Sequence, residues 1–175
     1  MALPTIRIKL EPLARDHLAA TLRWISDERI RRGLLVGREI TTEGHGAWFA
    51  ALQEDRSQAV YAALADGAHI GNFGYRLLSP PHASGELWMY VGPEYQGRGL
   101  GKDMLQAGLA KGFEQHSLRK IYLRVHTGNA RAIMLYARAG FAVEGVLARE
   151  ELFRGEPVDM LRMALFRDDW ELMSR

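Results

Sequence analysis

Apolar and polar residues alternate in several stretches of this chain, and each stretch predicts a β-strand. Residues 6–10 alternate in this way and predict a first strand with one buried face. Residues 58–65 and 69–78 form two more apolar runs, separated by Asp66-Gly67, a dipeptide typical of tight hairpin turns. The pattern therefore predicts an antiparallel hairpin in the first half of the chain.

Between the first strand and this hairpin, the apolar residues recur at helical spacing. Residues 18–25 carry a stripe of this kind, and Asp16 is expected to cap the helix. Residues 29–38 are rich in arginine and glycine, which predicts a short helix followed by a mobile loop. Thr42 is expected to cap a further helix that carries Trp48. The first strand is therefore followed by two or three helices before the sheet resumes.

The second half of the chain alternates strands with helices. A central strand, Gly85 to Gly92, runs into a glycine-dense turn, and helical spacing begins at Leu100. Residues 120–126 predict the next strand, and Asn129 is expected to open and cap the helix after it. The remaining predicted elements are strands over residues 141–145, 150–154 and 158–166 and a terminal helix over residues 167–175. This order predicts an α/β chain.

The turn from Gln96 to Lys102 is suited to holding an anion. The first N–H groups of a helix lack intrahelical partners, and glycine lets the backbone approach a phosphate closely. A P-loop would need glycine at position 96 and a hydroxyl residue at position 103, and a dinucleotide fingerprint also fails on spacing. The spacing that fits is Gln-x-x-Gly-x-Gly, formed by Gln96, Gly99 and Gly101.

This loop resembles the pyrophosphate loop of the GCN5-related N-acetyltransferases, the GNAT family. A second signature of that family follows in order, as Asn129, Ala132 and Tyr136 and then Gly140-Phe141. The resemblance extends over about residues 6–170. It implies a single N-acetyltransferase domain over residues 1–175 with a core of about 6–170. The expected fold is a central mixed sheet of about seven strands with helices on both faces.

The resemblance also implies acetyl-CoA as cosubstrate and no metal. In the family the central strand and the strand over residues 120–126 splay apart, and the pantetheine arm fills the gap. Asn129 and Ala132 lie at the start of the helix beside that gap. The expected cofactor-binding residues are Met89, Tyr90 and Val91 on the central strand, Gln96, Gly97, Arg98, Gly99, Leu100, Gly101 and Lys102 on the loop, and Asn129 and Ala132.

The resemblance suggests catalytic roles for two side chains. Tyr136 is expected to protonate the departing thiolate, because the family places this phenol beside the sulfur. Attack by an alkyl amine, whose pKa is about 10, requires a proton acceptor. Glu86 is the first candidate, since alternation along the central strand puts it on one face with Trp88. His126, at the end of the neighbouring strand, is the second.

The acceptor is the least determined part of the prediction. Arg31, Arg32 and Trp48 are the expected substrate-binding residues, since arginines hold phosphate and tryptophan stacks on a base. With the resemblance to the amino-sugar branch of the family, they suggest a nucleotide-linked amino sugar. Two alternatives stay open: N-terminal acetylation of a protein, as in the ribosomal-protein branch, and a non-catalytic CoA-binding module. A small-molecule or peptide amine is the expected partner, and a homodimer stays open.

Composition bears on other classes of function. A hydrophobic content of 47%, a charged content of 25% and a net charge of +2 are typical of a globular protein and do not indicate nucleic-acid binding. No apolar run approaches the roughly 20 residues of a membrane helix. The six histidines lack metal-ligand spacing, and with no cysteine there is no thiolate ligand. The cytoplasm is the expected location.

Overall fold

The computed structural model describes residues 8–173, and its strands form one mixed sheet of seven in the order β1-β2-β3-β4-β5-β7-β6. Strands β4 and β5 are parallel, and the other five neighbouring pairs are antiparallel. The strands are β1 (Ile8–Pro12), β2 (Ala59–Ala65), β3 (Ala68–Ser79), β4 (Ser84–Val91), β5 (Lys120–His126), β6 (Ala142–Phe153) and β7 (Glu156–Phe166). The predicted mixed sheet is confirmed.

Helices cover both faces of this sheet, as predicted. The helices are α1 (Leu18–Ile25), α2 (Glu28–Gly33), α3 (Thr42–Glu54), α4 (Leu100–Ala110), α5 (Ala130–Arg138) and α6 (Arg167–Met173). The side chain of Asn72 on β3 donates to Thr21 of α1 at 3.0 Å, whereas the next residue, Phe73, lies against Gly108 of α4. Because successive strand residues point to opposite faces, α1 and α4 lie on opposite sides of the sheet.

The main core lies between α4 and the sheet. Met104, Leu105 and Leu109 of α4 are fully buried against strand residues that include Phe73. A Cβ on Gly108 would lie only 2.1 Å from the Phe73 ring, so glycine is required for this close approach. The approach fixes α4 on the sheet and thereby fixes the loop that precedes it.

A smaller cluster anchors α1 to the end of β4 on the other face. The Trp24 side chain is 1% exposed, and its indole N–H donates to the Glu94 carboxylate at 3.0 Å. A Cβ on Gly92 would lie 2.6 Å from the Trp24 ring. Helix α1 therefore packs closely against the chain where β4 ends. Within residues 8–173 no helix is long and apolar enough to cross a membrane.

Two predicted caps are corrected by the structure. Asp16 lies inside a 3-10 turn, Arg15–His17, and the residue that precedes α1 is His17, whose side chain makes no capping bond. The cap of α3 is Thr41 rather than Thr42, because the Thr41 hydroxyl accepts a hydrogen bond from Gly44 N at 3.0 Å. The apolar stripe predicted on α1, Leu18, Leu22 and Ile25, is only half-buried, and the fully buried residues of the helix are Thr21 and Trp24.

The remaining predicted elements are largely confirmed. Asp66 and Gly67 have φ values of 49° and 82°, the left-handed conformations that a two-residue hairpin turn requires. The predicted strands 141–145 and 150–154 are one strand, β6, whose pairing with β7 shifts register twice. Residues 6 and 7 of the predicted first strand and residues 174 and 175 of the predicted terminal helix lie outside the described residues.

Candidate active site

Strands β4 and β5 separate part-way along their length. They pair at three positions, Ser84 with Lys120, Gly85 with Ile121 and Glu86 with Tyr122. Beyond Glu86 the sheet order still places the two strands side by side, but no pair joins them. This fork is the splayed arrangement that the family resemblance implies. It leaves the β5-facing edge of β4 without a paired strand beyond Glu86, while the other edge stays paired with β3.

A cavity of about 1560 Å³ lies at the fork. Ligand pockets are usually about 300–1,000 Å³, so this cavity has room for two substrates. Of the predicted site residues, the cavity wall includes Arg32, Trp48, Met89, Tyr90, Val91, Gln96, Gly97, Gly99, Leu100, Gly101, Lys102, Asn129, Ala132 and Tyr136. Three predicted residues are not on the wall: Arg31, Glu86 and Arg98. The structure thus brings most of the predicted site together.

The glycine loop closes one end of the cavity. Gly97 and Gly99 have φ values of 80° and 82°, which side chains rarely adopt. Gln96 ties the loop to β4, because its amide nitrogen donates to the Val91 carbonyl at 3.0 Å. A Cβ on Gly101 would contact only the side chains of Leu135 and Val91, each at 3.9 Å. The loop therefore leaves open space above the first turn of α4.

Helix α5 presents the second signature to the same cavity. The Asn129 side chain caps the helix by accepting a hydrogen bond from Ala132 N at 3.2 Å, as predicted. Tyr136 lies two turns on, 7% exposed, with its ring 5.7 Å from that of Phe141. Burial raises the pKa of the Tyr136 phenol, so the phenol keeps its proton at physiological pH.

Glu86 lies beside the fork but is tied to two arginines. Its Oε1 accepts from Arg76 of β3 at 3.1 Å and from Arg124 of β5 at 2.9 Å, and its side chain is 1% exposed. Burial alone raises the pKa of Glu86, but the hydrogen bonds and charges of the two arginines together hold that pKa below its ordinary value. Arg124 also pairs with Glu151 at 2.9 Å. Glu86 thus connects three strands at the vertex of the fork.

Arg31 and Arg98 use their guanidinium groups on the backbone. Arg31 donates to the carbonyls of Val36, Gly37 and Arg38 at 2.9–3.1 Å. Arg98 donates to the carbonyl of Glu94 at 2.9 Å. Both side chains hold loops in place. For Arg31 this favours a structural role over the predicted contact with substrate, whereas the predicted contact of Arg98 with the cofactor is made by its backbone and stays a prediction.

Glu151 and His45 are among the residues of the cavity wall that the sequence does not single out. Glu151 of β6 reaches the cavity beside Arg124, which depends on strand register and has no local signal. His45 of α3 is 6% exposed on the wall, and neither of its ring nitrogens has a hydrogen-bond partner among residues 8–173. Its place one turn before Phe49 on an apolar helix face was the available signal.

Comparison with known families agrees with this geometry. Residues 7–142 match the family model of the acetyltransferase (GNAT) domain. The chain belongs to the GNAT acetyltransferase family. Spermidine N(1)-acetyltransferase of Escherichia coli K12 is 31% identical to this GNAT chain over 170 residues, which cover 93% of the chain and 88% of that protein. Spermine/spermidine N(1)-acetyltransferase of Bacillus subtilis 168 is 38% identical over 78 residues, or 43% of the chain and 49% of that protein.

Solved structures show the same fold. The crystal structure of spermidine N-acetyltransferase from Vibrio cholerae in complex with CoA and spermine superposes with a TM-score of 0.90 and 23% sequence identity, covering 94% of this chain and 98% of that one. This GNAT protein is therefore an acetyl-CoA-dependent N-acetyltransferase. The open space at Gly101 and the unpaired backbone beyond Glu86 fit acetyl-CoA as cosubstrate.

Proposed function

We propose that this enzyme transfers the acetyl group of acetyl-CoA to a primary amine of a small polyamine such as spermidine. The relationship to the Escherichia coli spermidine N(1)-acetyltransferase, 31% identity over 93% of the chain, carries the choice of acceptor. The cavity at the fork, with Tyr136 on its wall, supports the transfer itself.

The charges of the cavity wall do not by themselves favour a cation. Two carboxylates, Glu39 and Glu151, lie on the wall among a larger number of arginine and lysine residues. The choice of a cationic acceptor therefore rests on the relationship to the spermidine N(1)-acetyltransferase.

The arginines of residues 29–38 give less support to an anionic acceptor than the sequence suggests. Arg29 pairs with Asp27 at 2.9 Å, Arg32 pairs with Glu28 at 3.5 Å, and Arg31 donates to loop carbonyls. These arginines are largely engaged by the protein itself. The nucleotide-linked amino sugar is therefore replaced by a polyamine as the proposed acceptor.

The residues that would hold acetyl-CoA follow from the cavity wall. Backbone N–H groups of the loop from Gln96 to Lys102, at the positive end of α4, suit its diphosphate. The edge of β4 that faces the gap from Met89 to Val91, whose other edge pairs with β3, suits the amides of the pantetheine arm, much as a neighbouring strand would. Bound there, acetyl-CoA supplies the thioester whose acetyl group the amine takes.

Two side chains are proposed to move protons. The Tyr136 phenol is protonated and faces the cavity, so it is the proposed donor to the departing thiolate. Of the two predicted proton acceptors, His126 lies on the cavity wall and Glu86 does not. Burial lowers the pKa of His126, which keeps the imidazole neutral and able to accept a proton from the amine.

Steady-state kinetics with a panel of amines test this proposal. The panel contains spermidine, spermine, a UDP-linked amino sugar and an N-terminal peptide, and CoA release is the signal. We expect the highest kcat/KM with a polyamine. A higher kcat/KM with the peptide or the sugar would reject the polyamine, and no CoA release with any amine would favour a non-catalytic CoA-binding module.

A further inference from the structure

His45 is a polar side chain in a position that calls for an apolar one. It shares the buried face of α3 with Phe49, which packs in an apolar cluster with Leu13, Val60 and Ala62. Its imidazole is 6% exposed, and neither nitrogen has a hydrogen-bond partner in the described part of the chain. Buried polar groups are almost always hydrogen-bonded, because an unpaired one retains its full desolvation cost. The folded protein therefore gains no hydrogen bond from this histidine.

The surroundings of His45 indicate what would satisfy it. The residue lies on the wall of the same cavity as Tyr136, and that wall also includes Trp48 and Trp88, which pack against the cluster of Phe49. The His45 and Trp48 rings meet edge to face with centroids 5.1 Å apart. Burial lowers the pKa of His45, which favours the neutral imidazole. A neutral imidazole has one nitrogen that accepts a hydrogen bond.

We propose that His45 binds the acceptor by accepting a hydrogen bond from one of its amine N–H groups. Trp48 and Trp88 offer aromatic rings to the alkylammonium chain of the same ligand. This proposal rests on the amine acceptor proposed above and adds a residue that determines its affinity. His45 is kept at a cost to stability because the acceptor, and not the protein, supplies its partner.

The replacement His45→Leu separates this role from a structural one. Leucine fills the site with an apolar side chain and removes no hydrogen bond within the protein. We therefore expect the thermal midpoint of the ligand-free variant to equal or exceed that of the wild type. The matched control is His69→Leu, because the His69 ring bonds the buried Asn72 at 2.8 Å. That variant should unfold at a lower temperature.

Kinetics provide the second measurement. For His45→Leu we expect the KM for spermidine to rise on the order of tenfold to a hundredfold, as when a hydrogen bond to a charged group is lost. The KM for acetyl-CoA should not change. His45→Gln, whose amide oxygen can accept a hydrogen bond, should recover part of the affinity for spermidine.

The outcomes distinguish this inference from the proposed function. A lower thermal midpoint for His45→Leu, or an unchanged KM for spermidine in an active variant, would overturn the role of His45 and leave the acetyl transfer intact. If the wild type acetylates no amine, the proposed function fails. In that case thermal unfolding still tests the role of His45. If His45 binds spermidine, spermidine should raise the thermal midpoint of the wild type but not that of His45→Leu. Equal shifts of the thermal midpoint in the two proteins would reject the inference as well.

Discussion

Tyr136 combines deep burial with a place on the cavity wall, and this combination gives the first prediction. Tyr136→Phe keeps the ring packed against Phe141 and removes only the hydroxyl. We expect kcat to fall by about 10²–10⁴-fold, the usual contribution of a positioned general acid, with little change in acetyl-CoA affinity. Fixed-time assays of CoA release measure kcat. Tyr61→Phe is the control, since Tyr61 is equally buried but lies off the cavity wall. Equal kcat values for the two variants would reduce Tyr136 to a packing residue.

The pairing of Glu86 with Arg76 and Arg124 predicts a pH-dependent contribution to stability. The two arginines hold the pKa of Glu86 below its ordinary value of 4.5, so the carboxylate stabilises the folded state fully above about that pH. The contribution is lost as the pH falls through the lower pKa of the folded protein. Glu86→Gln should therefore cost about 1–3 kcal/mol near neutral pH and progressively less in acid.

Urea unfolding of Glu86→Gln and wild type at several pH values measures this difference. Glu144→Gln is a matched control, because Glu144 likewise pairs with two basic residues, Lys120 and Arg162, but is partly exposed. Its cost should stay below about 1 kcal/mol. A gap between Glu86→Gln and wild type that persists unchanged in strong acid would show that the carboxylate charge is not what stabilises the fork.

At the level of elements, the loop before α4 gives the third prediction. A Cβ at Gly101 would meet no atom closer than 3.9 Å, and the methyl groups of a valine would extend from it into the space where the diphosphate is proposed to lie. We expect Gly101→Val to keep its thermal midpoint and to bind acetyl-CoA at least about tenfold more weakly in calorimetry. Gly46→Val is the control, because Gly46 is also helical with free space around it but lies off the cavity wall. Unchanged affinity in Gly101→Val would move the diphosphate site elsewhere.

Elements with strong local signals could be predicted from the sequence. Strand β5 has the predicted bounds, Asn129 caps α5, and Asp66-Gly67 turns the β2–β3 hairpin. Each of these depends on a few adjacent residues, through strand alternation, a capping side chain or a turn that needs left-handed backbone. The glycine loop belongs to the same class, since the spacing of Gln96, Gly99 and Gly101 is itself the signal.

Features that depend on distant parts of the chain could not be predicted in the same way. Thr41 and Thr42 are equally good caps by type, and the path of the preceding loop decides between them. The partners of Glu86 come from β3 and β5, so they follow from the register of three strands. The unpaired nitrogens of His45 become visible only when every neighbour is in place.

At the level of the whole molecule, the fork divides the sheet into β1–β4 and β5–β7–β6, joined by three residue pairs. A ligand that bridges the gap should stabilise both parts. We expect acetyl-CoA at roughly 100 times its Kd to raise the thermal midpoint by about 5–10 °C. Hydrogen exchange should slow at the gap-facing amides of Met89 to Val91. A shift that occurs without new protection in β4 would place the ligand outside the fork.

The fork also creates a sheet edge inside the protein. Exposed edges invite strands of other chains, and proteins usually protect them with charges, bulges or a cover. Here the edge of β4 is shielded by enclosure, with α5 and the loop before α3 contributing to the same cavity wall. An extended peptide that entered the cavity would find the unpaired backbone ready for strand addition. We therefore expect the ligand-free enzyme to aggregate more readily on storage than the enzyme saturated with acetyl-CoA, so the cosubstrate also protects the protein between turnovers.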